Sequence, residues 1–254
     1  MAKNFIYPNV GLLNADVTDG TYVSGTETFT SSASMTNEER LVDQSIGLEV
    51  ENFDNLDAVR IDVNNTDDVD TMALYFNAAE TTDIQIYGSN NGTAMGTILV
   101  NRTANFSANV WTVIDLGGTF NRTFWFIGAN GGAIEGLTEV LIGNKYDFDV
   151  NPPVGDTEYD RPNVDIIKSY GDQEYANKRA NLKREFAWKW EIPTAAMRTS
   201  LRALDTAVQK NYLKFIYDDE TTKWWVRMSA DSLKFKQVAF NYWETNVKLT
   251  QQLI

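Results

Sequence analysis

For its first 145 residues the chain runs in short alternating stretches with no helical stripe among them, a pattern that few folds other than antiparallel β ones can use. Val59-Arg60-Ile61-Asp62-Val63 alternates apolar and polar residues, as does Ile84-Gln85-Ile86-Tyr87. A period of two sends successive side chains to opposite faces of a pleated strand. Further strands are predicted at Tyr22–Thr30, Ile46–Phe53, Met72–Phe76, Thr97–Val100, Val110–Leu116, Phe124–Ile127 and Val140–Ile142. Turn signals fall between them at Asn91-Gly92, Gly117-Gly118 and Asn130-Gly131-Gly132. Strands at this spacing predict a β-sandwich or jelly roll. No repeat period points to a propeller or solenoid.

The character changes after Asp147-Phe148-Asp149-Val150-Asn151-Pro152-Pro153-Val154-Gly155-Asp156. A double proline, a glycine and several acids resist regular structure and predict a linker over 147–156. Beyond it, the even positions from Leu182 to Ile192 are Leu, Arg, Phe, Trp, Trp and Ile, and the odd ones are Lys, Glu, Ala, Lys and Glu. That is a strand with one aromatic face and one charged face. Pro193-Thr194 then opens a helix, with Met197, Leu201, Leu204 and Val208 in one apolar stripe, Lys210 in its last turn and Asn211 as its stop. Strands follow at Tyr212–Tyr217, Trp224–Met228 and Val238–Leu249, with Asp218-Asp219-Glu220 as a turn. The expected fold is therefore mainly β. A sandwich spans 1–146, and an α+β domain with one helix on an antiparallel sheet spans 157–254.

Charge marks the same division. The chain carries a net charge of −13. Residues 1–150 hold 6 basic against 21 acidic side chains, and residues 151–254 hold 16 against 14. An acidic chain of this kind is not expected to bind nucleic acid sequence-specifically, because such binding needs a positive surface. The N-terminus has no apolar core of a signal sequence and no 18-residue apolar run occurs, so neither targeting nor membrane insertion is expected.

The chain contains no histidine and no cysteine. This excludes Ser-His-Asp and Cys-His catalysis, His- or Cys-ligated metals, and disulfides. Carboxylate, lysine or hydroxyl chemistry is left, or none. The run Asp62-Val63-Asn64-Asn65-Thr66-Asp67-Asp68-Val69-Asp70 is rich in oxygen ligands for Ca²⁺, but Asp67 and Ala73 occupy the glycine and glutamate places of an EF-hand loop. The run therefore reads as a solvated acidic turn between two strands rather than a metal site. Paired carboxylates are the requirement for glycoside hydrolysis, yet among 35 acids no spacing singles out a pair. Trp111, Trp125 and Tyr87 are stacking candidates for sugar rings, although Trp111 and Trp125 lie in apolar strand patterns where core packing is the ordinary role. The glycine-rich pieces 92–96 and 128–132 lack a phosphate-loop Gly-Lys-Ser/Thr and read as turns. Five Asn-x-Ser/Thr sequons, at Asn64, Asn91, Asn101, Asn105 and Asn121, sit in an Asn- and Thr-rich stretch that produces such triplets by chance. Trp224 and Trp225 must point to opposite faces of their strand, so one of them is an interface candidate unless the helix covers it. No cofactor site, metal site or enzymatic activity is expected.

Several stretches together carry a resemblance: Leu137-Thr138-Glu139-Val140-Leu141-Ile142-Gly143, Ile167-Lys168-Ser169-Tyr170-Gly171, Arg184–Trp190, the helix Thr194–Lys210, the hairpin Phe215-Ile216-Tyr217 to Trp224-Trp225-Val226-Arg227, and Tyr242–Leu249. In this order they resemble the minor tail and distal-tail proteins of tailed bacteriophages, with a discoidin-like, galactose-binding-type jelly roll placed before a tail-tube-like domain. The resemblance implies a virion structural protein made in the host cytoplasm. It implies self-association in a ring, often a hexamer, contacts with other tail proteins such as tube and hub, and an outer jelly roll available to a host-surface glycan. A carbohydrate-binding adhesion module without a ring is the alternative.

Overall fold

The computed structural model describes the chain apart from residues 1–2, 10–11, 13–14, 26, 31–34, 45, 47, 65–66, 149–156, 162–163, 169–173, 179–182, 193, 209–212, 241 and 253–254. For 27, 102–104, 157–161, 164–168, 174–178 and 192 it describes the backbone alone. The fold is mainly β with antiparallel sheets and, among the described residues, one α-helix. Chain contacts group into two compact units, Ile6–Lys145 and Met1–Phe5 with Tyr146–Leu253.

The Ile6–Lys145 unit uses β1 (Asn4–Pro8), β2 (Asp16–Thr18), β3 (Thr21–Ser24), β4 (Glu27–Thr30), β5 (Ala58–Asp62), β6 (Asp68–Phe76), β7 (Glu80–Ser89), β8 (Thr97–Phe106), β9 (Val110–Asn121), β10 (Phe124–Ala129) and β11 (Leu137–Asp147). β1 and β11 each carry two residues across the division. One sheet runs β2-β5-β10-β7-β8 and the other β1-β11-β6-β9. Between them Ile61, Met72, Leu74, Ile86, Trp125, Ile127, Val140 and Ile142 are fully buried. This is the sandwich that the alternation predicts, because each sheet needs a second apolar layer to cover its inward face.

Four local expectations change. The alternation of β7 predicts one wet face, yet Gln85 and Tyr87 are as buried as Ile84 and Ile86. The β3–β4 hairpin lies over them: Tyr22, Phe29, Ala58, Tyr87, Met95 and Phe126 form a second apolar cluster. Gly128 admits Phe29, whose ring stands 3.0 Å from where a Cβ would be. The predicted strand Tyr22–Thr30 is therefore a hairpin bent at Gly25, whose φ is +60°. The predicted turn Gly117-Gly118 lies inside β9 instead. Gly117, at φ +76°, absorbs a register shift between the Asp115–Thr71 and Phe120–Val69 pairs. A left-handed residue without a Cβ lets a strand bulge without reversing. Ile46–Phe53 is no strand; its described residues make only isolated bridges, such as Phe53 to Ile134.

The other unit contains β12 (Thr157–Arg161), β13 (Val164–Lys168), β14 (Glu174–Lys178), β15 (Lys183–Ile192), α1 (Ala195–Ala207), β16 (Lys214–Asp218), β17 (Lys223–Met228), β18 (Lys236–Ala239) and β19 (Tyr242–Gln251). Its sheet runs β12-β15-β19-β17-β16, with β18 also on β19, while β13 and β14 form a separate hairpin. The even positions of β15 behave as expected: Phe186, Trp188 and Trp190 are buried, while Lys189 and Glu191 are exposed. The helix begins where Thr194 Oγ1 accepts the Met197 N–H at 3.1 Å, and its stripe of Met197, Leu201, Leu204 and Val208 is buried. Rings fill the remaining space. Phe5 packs edge-on against Phe148, Trp190 and Phe215, and Phe148 lies 4.6 Å from Trp190.

Two more predictions need correction. The linker over 147–156 does not begin loose: Asp147 ends β11, and Phe148 is buried with its N–H on the Lys3 carbonyl at 3.0 Å. An aromatic inside a polar stretch found a core to enter. Residues 149–156 of that stretch lie outside the described residues, as do Asn65 and Thr66 of the acidic run, Ser169-Tyr170-Gly171, Leu182, Pro193, Lys210, Asn211 and Tyr212. The predicted strand Val238–Leu249 is two strands, β18 and β19, paired Lys236 to Glu244 and Ala239 to Tyr242.

Candidate functional site

Three connections of the Ile6–Lys145 unit meet at one end of the sandwich. They are the segment 49–54 before β5, the β6–β7 turn at Ala78, and the β10–β11 loop at 133–136. Together they enclose a cleft of about 450 Å³, lined by Glu49, Val50, Glu51, Asn52, Phe53, Asp54, Ala78, Ala133, Ile134, Glu135 and Gly136. That volume falls in the range of small-ligand sites.

Backbone bonds set the walls. Val50 N–H donates to Leu137 O at 2.8 Å, Ile134 N–H to Phe53 O at 2.8 Å, and Asn77 N–H to Gly136 O at 2.8 Å. Thr36 and Glu51 exchange N–H···O bonds of 3.3 and 3.1 Å, and Asn37 Nδ2 donates to Glu49 O at 3.1 Å. Gly136 holds φ +71°, and a Cβ there would sit 2.7 Å from Asn77 Oδ1, so the loop closes only around glycine.

Beneath the cleft Val50, Phe53 and Ile134 belong to the core, at 3%, 1% and 2% exposed. The rim is acidic, with Glu51, Asp54 and Glu135 exposed and Glu49 half-buried. Ionised carboxylates only accept hydrogen bonds, and no lysine or arginine lines the cleft. It therefore suits a ligand rich in O–H or N–H donors and without negative charge. Sequence reading missed this site because its residues come from three distant loops with no shared motif. Gly136 was its one local mark.

The residues singled out in sequence lie elsewhere. Trp111, Trp125 and Tyr87 are 2%, 0% and 1% exposed and are core side chains, so none offers a ring to a sugar. In the acidic run, Asp62 accepts the Asn64 N–H, while Asp70 accepts the Thr71 hydroxyl and the Lys145 N–H. Asp62 thus braces a turn and Asp70 ties β6 to β11, and among the described residues no group of three acids is placed to hold a metal ion. Trp224 and Trp225 do face opposite ways. Trp225 is buried. Trp224, half-exposed, is held by its own unit: its Nε1 donates to Asp219 Oδ2 at 2.7 Å, and the Arg184 guanidinium lies 4.8 Å over its ring. Burial pushes the Asp219 carboxyl up, but hydrogen bonds from Trp224, Thr221 and Thr222 outweigh it and hold the group below its ordinary range. No helix is long and apolar enough to cross a membrane among the described residues.

No protein-family model and no curated protein matches the chain in sequence. Among solved structures it is similar to several bacterial carbohydrate-binding modules. One is the family 32 module of Clostridium perfringens NanJ in complex with galactose, at 13% identity over 56% of this chain and 99% of that one, with a TM-score of 0.39. A second, CpGH89CBM32-5 of Clostridium perfringens in complex with GalNAc-β-1,3-galactose, matches at 9% identity over 54% and 99%, with a TM-score of 0.40. A third, the chitosan-binding module 2 of a Paenibacillus sp. IK-5 chitosanase/glucanase in complex with chitotriose, matches at 17% identity over 51% and 95%, with a TM-score of 0.36.

Proposed function

We propose that the Ile6–Lys145 unit is a non-catalytic carbohydrate-binding module whose ligand is a neutral or amino sugar. The observation that carries this reading is the carboxylate-rimmed cleft at the sandwich end. A sugar ring offers hydroxyl or ammonium donors to Glu51, Asp54 and Glu135, which stand exposed around the cleft. Acidic glycans are disfavoured by like charge. The test is a glycan array probed with the full chain, including galactose and chitotriose, followed by titration calorimetry. Binding to neutral or amino glycans is expected, and Glu51→Gln with Glu135→Gln weakens it at least roughly tenfold, one charge-assisted hydrogen bond each. A folded chain that binds no such glycan ends the reading.

A second reading, a ring-forming structural protein of a phage tail, is favoured by the outer face of β15. Lys189 and Glu191 stand exposed there, and Glu244 of the neighbouring strand joins Lys189 in an ion pair. A charged sheet face of this kind suits the wall of a water-filled lumen. Negative-stain electron microscopy separates the cases: a ring with a central hole is expected from this reading, and single particles remove it.

A further inference from the structure

We infer that the β18–β19 hairpin is a self-association surface that joins two copies of this chain about a two-fold axis. Isolated exposed apolar residues are ordinary, but here they concentrate on one edge. All four residues of β18 are exposed, Val238 is 45% exposed, and the adjacent Phe240 is 89% exposed, more than any other large apolar side chain described. Among the described residues β18 pairs with β19 alone, so its other edge faces no strand. Natural edge strands are usually guarded by charge. The one charged residue of β18, Lys236, is turned back toward Glu244 at 3.8 Å.

The occupant is a second copy because the segment complements itself. Antiparallel pairing of β18 with its symmetry mate about the Gln237–Val238 bond sets Gln237 opposite Val238 of the second copy, and Lys236 opposite Ala239. It sets Phe235 opposite Phe240 of the second copy. No like charges meet, and each exposed Phe240 lands beside a half-buried ring that already carries the Arg202 guanidinium 5.5 Å away. Cross-strand aromatic pairs are among the stabilising ones. The ladder is short and interrupted by the bulge between Gln237 and Ala239, across which Gln237 Nε2 donates to Ala239 O at 3.1 Å. The dimer is accordingly weak and concentration-dependent, far below the area of a permanent interface. It rests on neither functional reading above.

Sedimentation velocity of the full chain from about 1 μM to about 500 μM tests this, since a weak interface populates only at the upper end. A monomer–dimer equilibrium is expected. Phe240→Ser weakens it at least roughly tenfold, because an isologous contact loses the side chain twice. Ala239→Lys, which sets two lysines opposite each other in this register, weakens the dimer, and Ala239→Glu tightens it, with unchanged circular dichroism in both. A monomer throughout overturns the inference. So does an oligomer indifferent to Phe240→Ser, or one that Ala239→Lys and Ala239→Glu affect alike.

Discussion

Between Ile6 and Lys145 the interior is chiefly aliphatic: Val59, Ile61, Leu74, Ile86, Ile127, Val140 and Ile142 meet between two sheets. In the other unit a thirteen-residue helix and rings do that work, with Phe5, Phe148, Phe186, Trp188, Trp190 and Tyr217 in mutual contact. Two facing sheets interdigitate small branched side chains across about 10 Å. One short helix is narrower than a five-stranded sheet, so larger side chains fill what it leaves open. The difference extends outward. The sandwich spends its loops on an acidic cleft, whereas the other unit exposes a charged sheet face and an apolar hairpin edge.

The largest expected effects address whether these two interiors are separate energetically. Trp125→Ala and Trp190→Ala each remove a fully buried ring and cost about 3–5 kcal/mol. Differential scanning calorimetry is expected to show each lowering a different transition; one transition moved equally by both would merge the two cores. In the sandwich, Gly143→Ala belongs in the same class. A Cβ there collides with the Tyr7 carbonyl oxygen of the neighbouring strand, so about 3 kcal/mol or more is expected. A variant as stable as the parent would show that β1 and β11 can separate without loss.

Next in size, Thr194→Ala removes the one side-chain cap of α1 and costs about 1 kcal/mol by urea denaturation. No loss would mean that tertiary packing alone holds the helix. Smallest is the Asp219 clamp on Trp224. Its carboxyl is lowered in the folded chain, so its contribution is complete above the ordinary Asp range and fades as pH falls through the lowered value. Because Asp219 is largely solvated, the effect amounts to less than about 1 kcal/mol. Asp219→Asn is expected to flatten this acidic limb of stability, followed by tryptophan fluorescence. An unchanged limb would assign the clamp no energetic role.

Much of the architecture was legible in local patterns. The period of two in β15 and the four-three-four stripe of α1 each specify a face, and each face is buried as specified. Where one face of a strand looked polar, as at Gln85 and Tyr87, the pattern misled. The hairpin that covers it lies some sixty residues earlier, and no local signal records its return. Phe240 reads in sequence as one more apolar strand residue; its exposure follows from the break between β18 and β19 that turns it out.

The candidate site was hardly legible. Glu51, Phe53 and Glu135 belong to loops separated by more than seventy residues, and only the closure of the two sheets brings them to one end. By itself the sequence determined the strand-rich class, the uneven charge and the absence of histidine and cysteine chemistry, because these depend on residue type and short-range period. Tertiary structure decided which faces are dry, which tryptophans are core and where the acids gather. Those depend on contacts between residues far apart in the chain, which only the packing of one layer on another can make.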